Sequence, residues 1–171
     1  FSVSNVTDPE IFLRGIGSDI QSAGADRSVA IFVDGVYMSR GTGSLVDLAD
    51  LERVEVLRGP QSLLFGKNVV GGLIHYVTKK PSDTASVTVN GSVGNIGTTE
   101  LSAYATGPLN SATAGSVAFS SRSHDGYAEI TGGPAAGGDE EELNSDTFRT
   151  QLRVQPSDAL DVLFSADYTR H

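Results

Sequence analysis

The sequence predicts a β-rich chain in two parts. A small α+β unit occupies residues 1–84, and a run of longer antiparallel strands occupies 85–171. Three observations carry this. The first half breaks into short apolar runs punctuated by Gly, Pro and Asp. The second half alternates apolar and polar residues with a period of two, the period of a strand with two unlike faces. Charged residues make up 19% of the chain, below the usual ~25%, and 20 of its 171 residues are glycine, well above the usual ~7%. Low charge with abundant glycine suits strands and turns.

Within the first part, Ile11-Phe12-Leu13 reads as a short strand that delivers Arg14 to its end, with Gly15 and Gly17 permitting a bend. Residues 18–28 are a small-residue loop. Val29–Val33 and Val36–Met38 flank Asp34-Gly35, the dipeptide that a two-residue type I′ hairpin turn favours. After a second loop over 39–44, apolar residues at 45, 48 and 51 predict a turn or two of helix with Asp47 and Asp50 outward. Val54 and Val56 alternate with Glu55, so a strand with one buried face is expected there. Gly59 breaks that strand, Pro60 suits a first helical position, and Gly66 stops the helical turn. Residues 73–78 form a further strand. A unit of this size buries a modest core and is marginal for independent folding.

Five strands follow, centred on 87–93, 100–105, 117–122, 148–154 and 161–168. Each is close to the ~9–11 residues a tilted strand needs to cross a bilayer. One face carries Val87, Val89, Val93, Phe119, Phe148, Leu152, Val154, Val162, Phe164 and Tyr168; Arg122, Arg149 and Arg153 fall on the other. Asn95-Ile96-Gly97, Pro108–Ala114 and Pro156–Asp158 read as short connections, and 124–146 as a long acidic loop. Alternation alone serves a soluble sandwich as well as a membrane barrel.

Net charge is −9, which argues against a nucleic-acid partner. The acidity is uneven: residues 1–84 carry 8 basic and 10 acidic side chains, residues 85–171 carry 4 and 11. With no cysteine, a disulfide framework and a Cys-based zinc site are excluded. No apolar run reaches the ~20 residues of a membrane helix, a test that barrel strands escape. Phe1-Ser2-Val3-Ser4 lacks the basic region and apolar core of a leader.

Chemistry is sparse. Gly66-Lys67 invites a phosphate-loop reading, but the loop's first glycine would fall at Gln61 and Asn68 replaces its Ser or Thr. His75, His124 and His171 are scattered, and His75 reads as a packing residue. Ser62 lacks a nucleophile-elbow context. No catalytic set, metal-ligand set or cofactor motif emerges. Asp139-Glu140-Glu141-Glu142 reads as a solvated loop, with calcium as the alternative.

Several spaced blocks together closely resemble the plug signature of TonB-dependent outer-membrane receptors. They are Leu13-Arg14-Gly15-Ile16-Gly17, Val33-Asp34-Gly35-Val36-Tyr37, Leu57-Arg58-Gly59-Pro60-Gln61, Phe65-Gly66-Lys67-Asn68, Gly71-Gly72-Leu73-Ile74 and Thr78-Lys79-Lys80-Pro81. The resemblance covers residues 10–81. It favours the barrel over the sandwich and implies an α+β plug domain (1–84) followed by the first strands of an antiparallel transmembrane β-barrel (85–171). Five strands cannot close a lumen that holds a plug; plugged outer-membrane transporters have about 22. A fragment with most of a plug and roughly the first quarter of a barrel is therefore expected.

The resemblance further implies a transporter rather than an enzyme. It would sit in the outer membrane of a Gram-negative bacterium, in contact with lipid. It would bind a scarce extracellular solute such as a ferric siderophore and import it with energy from TonB and its ExbB–ExbD complex. The segment that TonB grips lies N-terminal to the plug in this family, and none is found here. Arg14 and Arg58, at two motif positions, are implied to latch the plug to barrel carboxylates, a contact that suits the planar guanidinium fork. Two plug loops that touch cargo correspond to 17–27 and 38–43. Asp19, Gln21, Arg27, Ser39, Arg40 and Thr42 are their polar candidates. Haem, cobalamin, nickel chelates and oligosaccharides stay open as cargo. The rival reading is a soluble β-rich binding or adhesion module with an acidic calcium- or partner-binding loop.

Overall fold

The computed structural model describes residues 11–17, 28–38, 49–61, 65, 69–126, 128–129, 139–140 and 143–170. The chain divides into two compact units. The first comprises Phe1–Leu45 and Leu51–Thr78, the second Val46–Asp50 and Lys79–His171.

The first unit is built on a four-stranded mixed sheet in the order β4-β3-β6-β5. These strands are β3 (Val29–Val33), β4 (Val36–Tyr37), β5 (Leu51–Arg58) and β6 (Gly72–Thr78); β1 (Phe12–Leu13) and β2 (Ile16–Gly17) form a separate hairpin. β3 pairs parallel with β6, while β3–β4 and β5–β6 are antiparallel. β3 is buried along its whole length, as an uninterrupted apolar run predicts for a central strand. Ala30, Phe32, Val69 and Leu73 make the core, with Leu57 and Phe65 packed against it. The Phe32 and Phe65 rings meet edge-on with centroids 5.1 Å apart. The expected helical turn after Pro60 is recorded where Phe65 N–H donates to Gln61 O at 3.1 Å.

Two expectations change. Val54 and Val56 do not face a buried surface: they are 46% and 48% exposed, and it is Leu57 that reaches the core. β5 is the edge strand, so burial goes to β3 and β6 instead. The helix expected over 45–51 is not what its described end shows, because Ala49-Asp50 is a turn and Leu51 opens β5; residues 45–48 lie outside the described residues. Asp50, expected outward, is 1% exposed.

The second unit is a five-stranded antiparallel meander in the order β13-β12-β9-β8-β7. Its strands are β7 (Ser86–Val93), β8 (Thr99–Asn110), β9 (Thr113–His124), β12 (Leu143–Ser157) and β13 (Leu160–Arg170). The expected turn at 95–97 is present, closed by Gly94 N–H donating to Thr98 O at 2.8 Å. Elsewhere the strands run further than expected. β8 continues through Pro108, leaving only Ser111-Ala112 as the turn, and β12 continues through Pro156, leaving Asp158-Ala159. Each proline sits at a register shift, between Pro108 and Asn110 or between Val154 and Ser157. A bulge tolerates a residue without an N–H, so the prolines punctuate strand ends rather than loops. The long connection also shortens: β12 begins at Leu143, and β10 (Ala128–Glu129) pairs with β11 (Asp139–Glu140) within it. Residues 130–138 and 141–142 lie outside the described residues.

Candidate functional site

The Asp34-Gly35 turn is a polar centre of the first unit, hydrogen-bonded to two side chains of β6. Asp34 (φ 48°) and Gly35 (φ 84°) both have positive φ, the type I′ requirement. Phe32 pairs with Tyr37 and Val33 with Val36, and Met38 N–H donates to Ile31 O at 2.9 Å. The turn is then held from β6. Asp34 Oδ1 accepts from Thr78 N–H at 2.8 Å, and Oδ2 accepts from the Thr78 hydroxyl at 2.7 Å. Gly35 N–H donates to His75 Nε2 at 3.0 Å, so the ring carries its proton on Nδ1 and donates it to Glu55 Oε2 at 3.2 Å. His75 is thus a bridge as well as a packing residue; its ring also meets Phe32 edge-on. Gly35→Val is expected to destabilise the first unit by about 2 kcal/mol, since a β-branched residue resists positive φ, whereas Gly35→Asn should cost much less. Urea unfolding of the two variants measures the difference.

Glu55 also accepts from Arg53 Nε at 2.8 Å. That guanidinium bond is the largest cause holding the Glu55 carboxyl below its ordinary value of 4.5, with His75 adding to it and desolvation opposing it. A carboxyl group depressed on folding stabilises the folded state above its unfolded pKa. That contribution is lost as pH falls through the lower folded value. Glu55→Gln is therefore expected to flatten the acid side of the stability profile below about pH 4.5. The effect should be small, because the group is open to solvent screening. Thermal unfolding across pH 3–6 reads it.

In the second unit the register separates two chemistries. Phe148 lies across from Phe119 and Tyr168, Leu152 from Phe164, and Val154 from Val162, and Phe119 continues to Ala103 and Val89. Arg149 lies across from Ala118 and Asp167, Arg153 from Ala114 and Leu163, Arg122 from Glu100 and Ser145. The expected partition of apolar residues and arginines therefore holds at every strand pair. Each arginine meets a carboxylate. Arg122 Nε donates to Glu100 Oε1 at 2.6 Å, and Arg153 holds Asp161 with both Nε (3.0 Å) and Nη2 (2.9 Å). Arg149 Nε stands 3.8 Å from Asp50 Oδ2, with both side chains buried. The sequence reading missed Asp50. Its signal would have been an arginine on the polar face in want of a counter-charge.

Of the residues the sequence nominated, Arg14 is exposed in the β1–β2 turn with φ 54°, and Arg58 is exposed at the end of β5. Among the described residues no ion pair joins them. Asp19, Gln21, Arg27, Ser39, Arg40 and Thr42 all lie outside the described residues. No group of three or more His, Cys, Asp or Glu could hold a metal ion among the described residues.

A meander of strands 8–15 residues long, apolar on one exposed face and with charge paired on the other, has the make-up of an outer-membrane sheet. Residues 2–73 match the TonB-dependent Receptor Plug Domain family. The vitamin B12 transporter BtuB of Vibrio vulnificus is 31% identical over 160 residues, covering 91% of this chain and 24% of that protein. The pesticin receptor of Yersinia enterocolitica is 31% identical over 159 residues, covering 90% and 22%. The crystal structure of the ferric yersiniabactin uptake receptor FyuA from Yersinia pestis superposes with a TM-score of 0.74 at 29% identity, covering 84% of this chain and 23% of that one. The chain belongs to the TonB-dependent receptors, a family of the Gram-negative outer membrane. It spans about a quarter of the length of the curated relatives it matches.

Proposed function

We propose that this chain supplies the plug (1–84) and opening wall strands (85–171) of a receptor that binds a scarce extracellular solute and imports it into the periplasm with energy delivered by TonB. The observation that carries the reading is the split of the five-stranded sheet, whose apolar face carries charge only at one strand end, where Asp146 lies across from Arg170. A face bearing Phe119, Phe148, Leu152 and Phe164 suits lipid, and a face bearing three carboxylate-paired arginines suits a lumen. Two of the named relatives are a vitamin B12 transporter and a ferric yersiniabactin uptake receptor, which favours a metal-chelate cargo of the corrinoid or siderophore kind. On this reading Arg14 and Arg58 latch the plug to wall carboxylates. Asp19, Gln21, Arg27, Ser39, Arg40 and Thr42 supply polar contacts to cargo. Uptake of labelled cobalamin and of ferric siderophores by cells with and without the receptor gene, each with and without TonB, tests it. Uptake of one solute that needs both proteins is expected. A protein that stays soluble without detergent and leaves uptake unaltered would favour the binding-module reading instead.

A further inference from the structure

The chain passes out of the second unit between Asp50 and Leu51 and returns to it between Thr78 and Lys79. Both ends of that excursion are tied down inside the second unit. Lys79 N–H donates to Asp50 O at 2.8 Å, so the outgoing and incoming chain are joined to each other. The Lys79 ammonium sits over the Tyr104 ring, 5.3 Å from its centroid. The Asp50 carboxylate turns onto the sheet, where Arg149 meets it between the small side chains of Ala118, Ser120 and Thr147. These three, like Arg149, lie on the polar face of β9 and β12.

We propose that Arg149 is a positioning residue that fixes the crossing point of the chain. Through Asp50, and through the Asp50–Lys79 bond, it holds the two points at which the chain leaves and rejoins the second unit. A buried ion pair adds little net stability over an apolar pair of the same shape, but removing one partner is costly because the other charge is stranded. Such a pair therefore specifies a position more than it strengthens a fold. It also reverses the polarity expected from Arg14 and Arg58: here the guanidinium is on the sheet and the carboxylate is on the segment preceding β5. Its part in import rests on the function proposed above; its anchoring of the chain does not.

Amide hydrogen exchange at Lys79 in the full-length receptor, held in detergent, reads the anchor directly. Asp50→Asn and Arg149→Gln are each expected to speed Lys79 exchange about tenfold or more, short of the cost of a wholly stranded charge because each side chain keeps further interactions. Amides of Ala103 and Ala118 in mid-sheet should not move. The charge-reversed double variant, Asp50→Arg with Arg149→Asp, should return Lys79 towards its original rate. Asp167 lies directly across from Arg149 and is the competing carboxylate, and Asp167→Asn should leave Lys79 unaltered. Unaltered exchange in Asp50→Asn, an effect of Asp167→Asn equal to it, or no recovery in the double variant would each overturn the proposal. If Arg149→Gln does not assemble, the comparison of Asp50→Asn with Asp167→Asn decides alone. Exchange reports the anchor whatever solute is carried, so a failure here leaves the import reading standing, and the reverse.

Discussion

Replacing Phe148 with arginine is expected to cost about 2–4 kcal/mol and to lower the yield of assembled receptor sharply. Phe148 is 48% exposed and lies between Phe119 and Tyr168 near the middle of its strand. On the lipid-facing reading, a guanidinium there has no carboxylate directly across from it and no water to enter; Asp146, two residues towards the strand end on the same face, is already across from Arg170. The matched control is Ser165→Arg on the opposite face of β13, exposed and across from Gln151. Lumenal substitutions should be tolerated, so little change is expected there. Heat-modifiable migration of the two variants on electrophoresis measures assembly. Equal behaviour of the two would show that the faces do not meet different solvents.

The second large effect is expected in the first unit. Leu73 is fully buried, adjoins Ala30 in the parallel pairing and Leu57 in the antiparallel one, and belongs to the cluster with Phe32 and Val69. Leu73→Ala removes three carbons from the centre of a small core and should cost about 2–5 kcal/mol, with the upper end expected if the sheet cannot close around the space. Leu73→Met should cost less than about 1.5 kcal/mol, because it nearly conserves volume. Proteolytic susceptibility of residues 28–78 in the intact receptor gives the measurement. The second unit should keep its resistance.

What the sequence made legible follows from how local each signal is. The Asp34-Gly35 hairpin needs only two adjacent residues with positive φ, and it formed as read. The two faces of the five-stranded sheet follow from a period of two, which survives any error in strand ends. Strand ends themselves were misjudged at Pro108 and Pro156, since a proline excludes a ladder hydrogen bond but not a bulge. Val54 and Val56 carry the pattern of a buried face, yet strand position in the sheet decides burial, and that depends on the pairing order. Asp50 was hidden for a related reason. Its burial depends on Arg149, 99 positions along the chain, and no window of sequence contains both.

The tie between Asp34 and Thr78 has a kinetic side. A two-residue hairpin closes within about 1–10 μs, so β3 and β4 can meet as soon as they exist. Their turn, however, is completed by groups 40 and 44 positions later, His75 and Thr78. The parallel pairing of β3 with β6 requires the same long loop to close. Long-range closure of this kind is slow, because chain entropy is lost before the contacts that reward it are made. The sheet is therefore assembled last at the strand that leads straight into the second unit. A chain that has not yet delivered Thr78 holds a formed turn with an open carboxylate and no finished core.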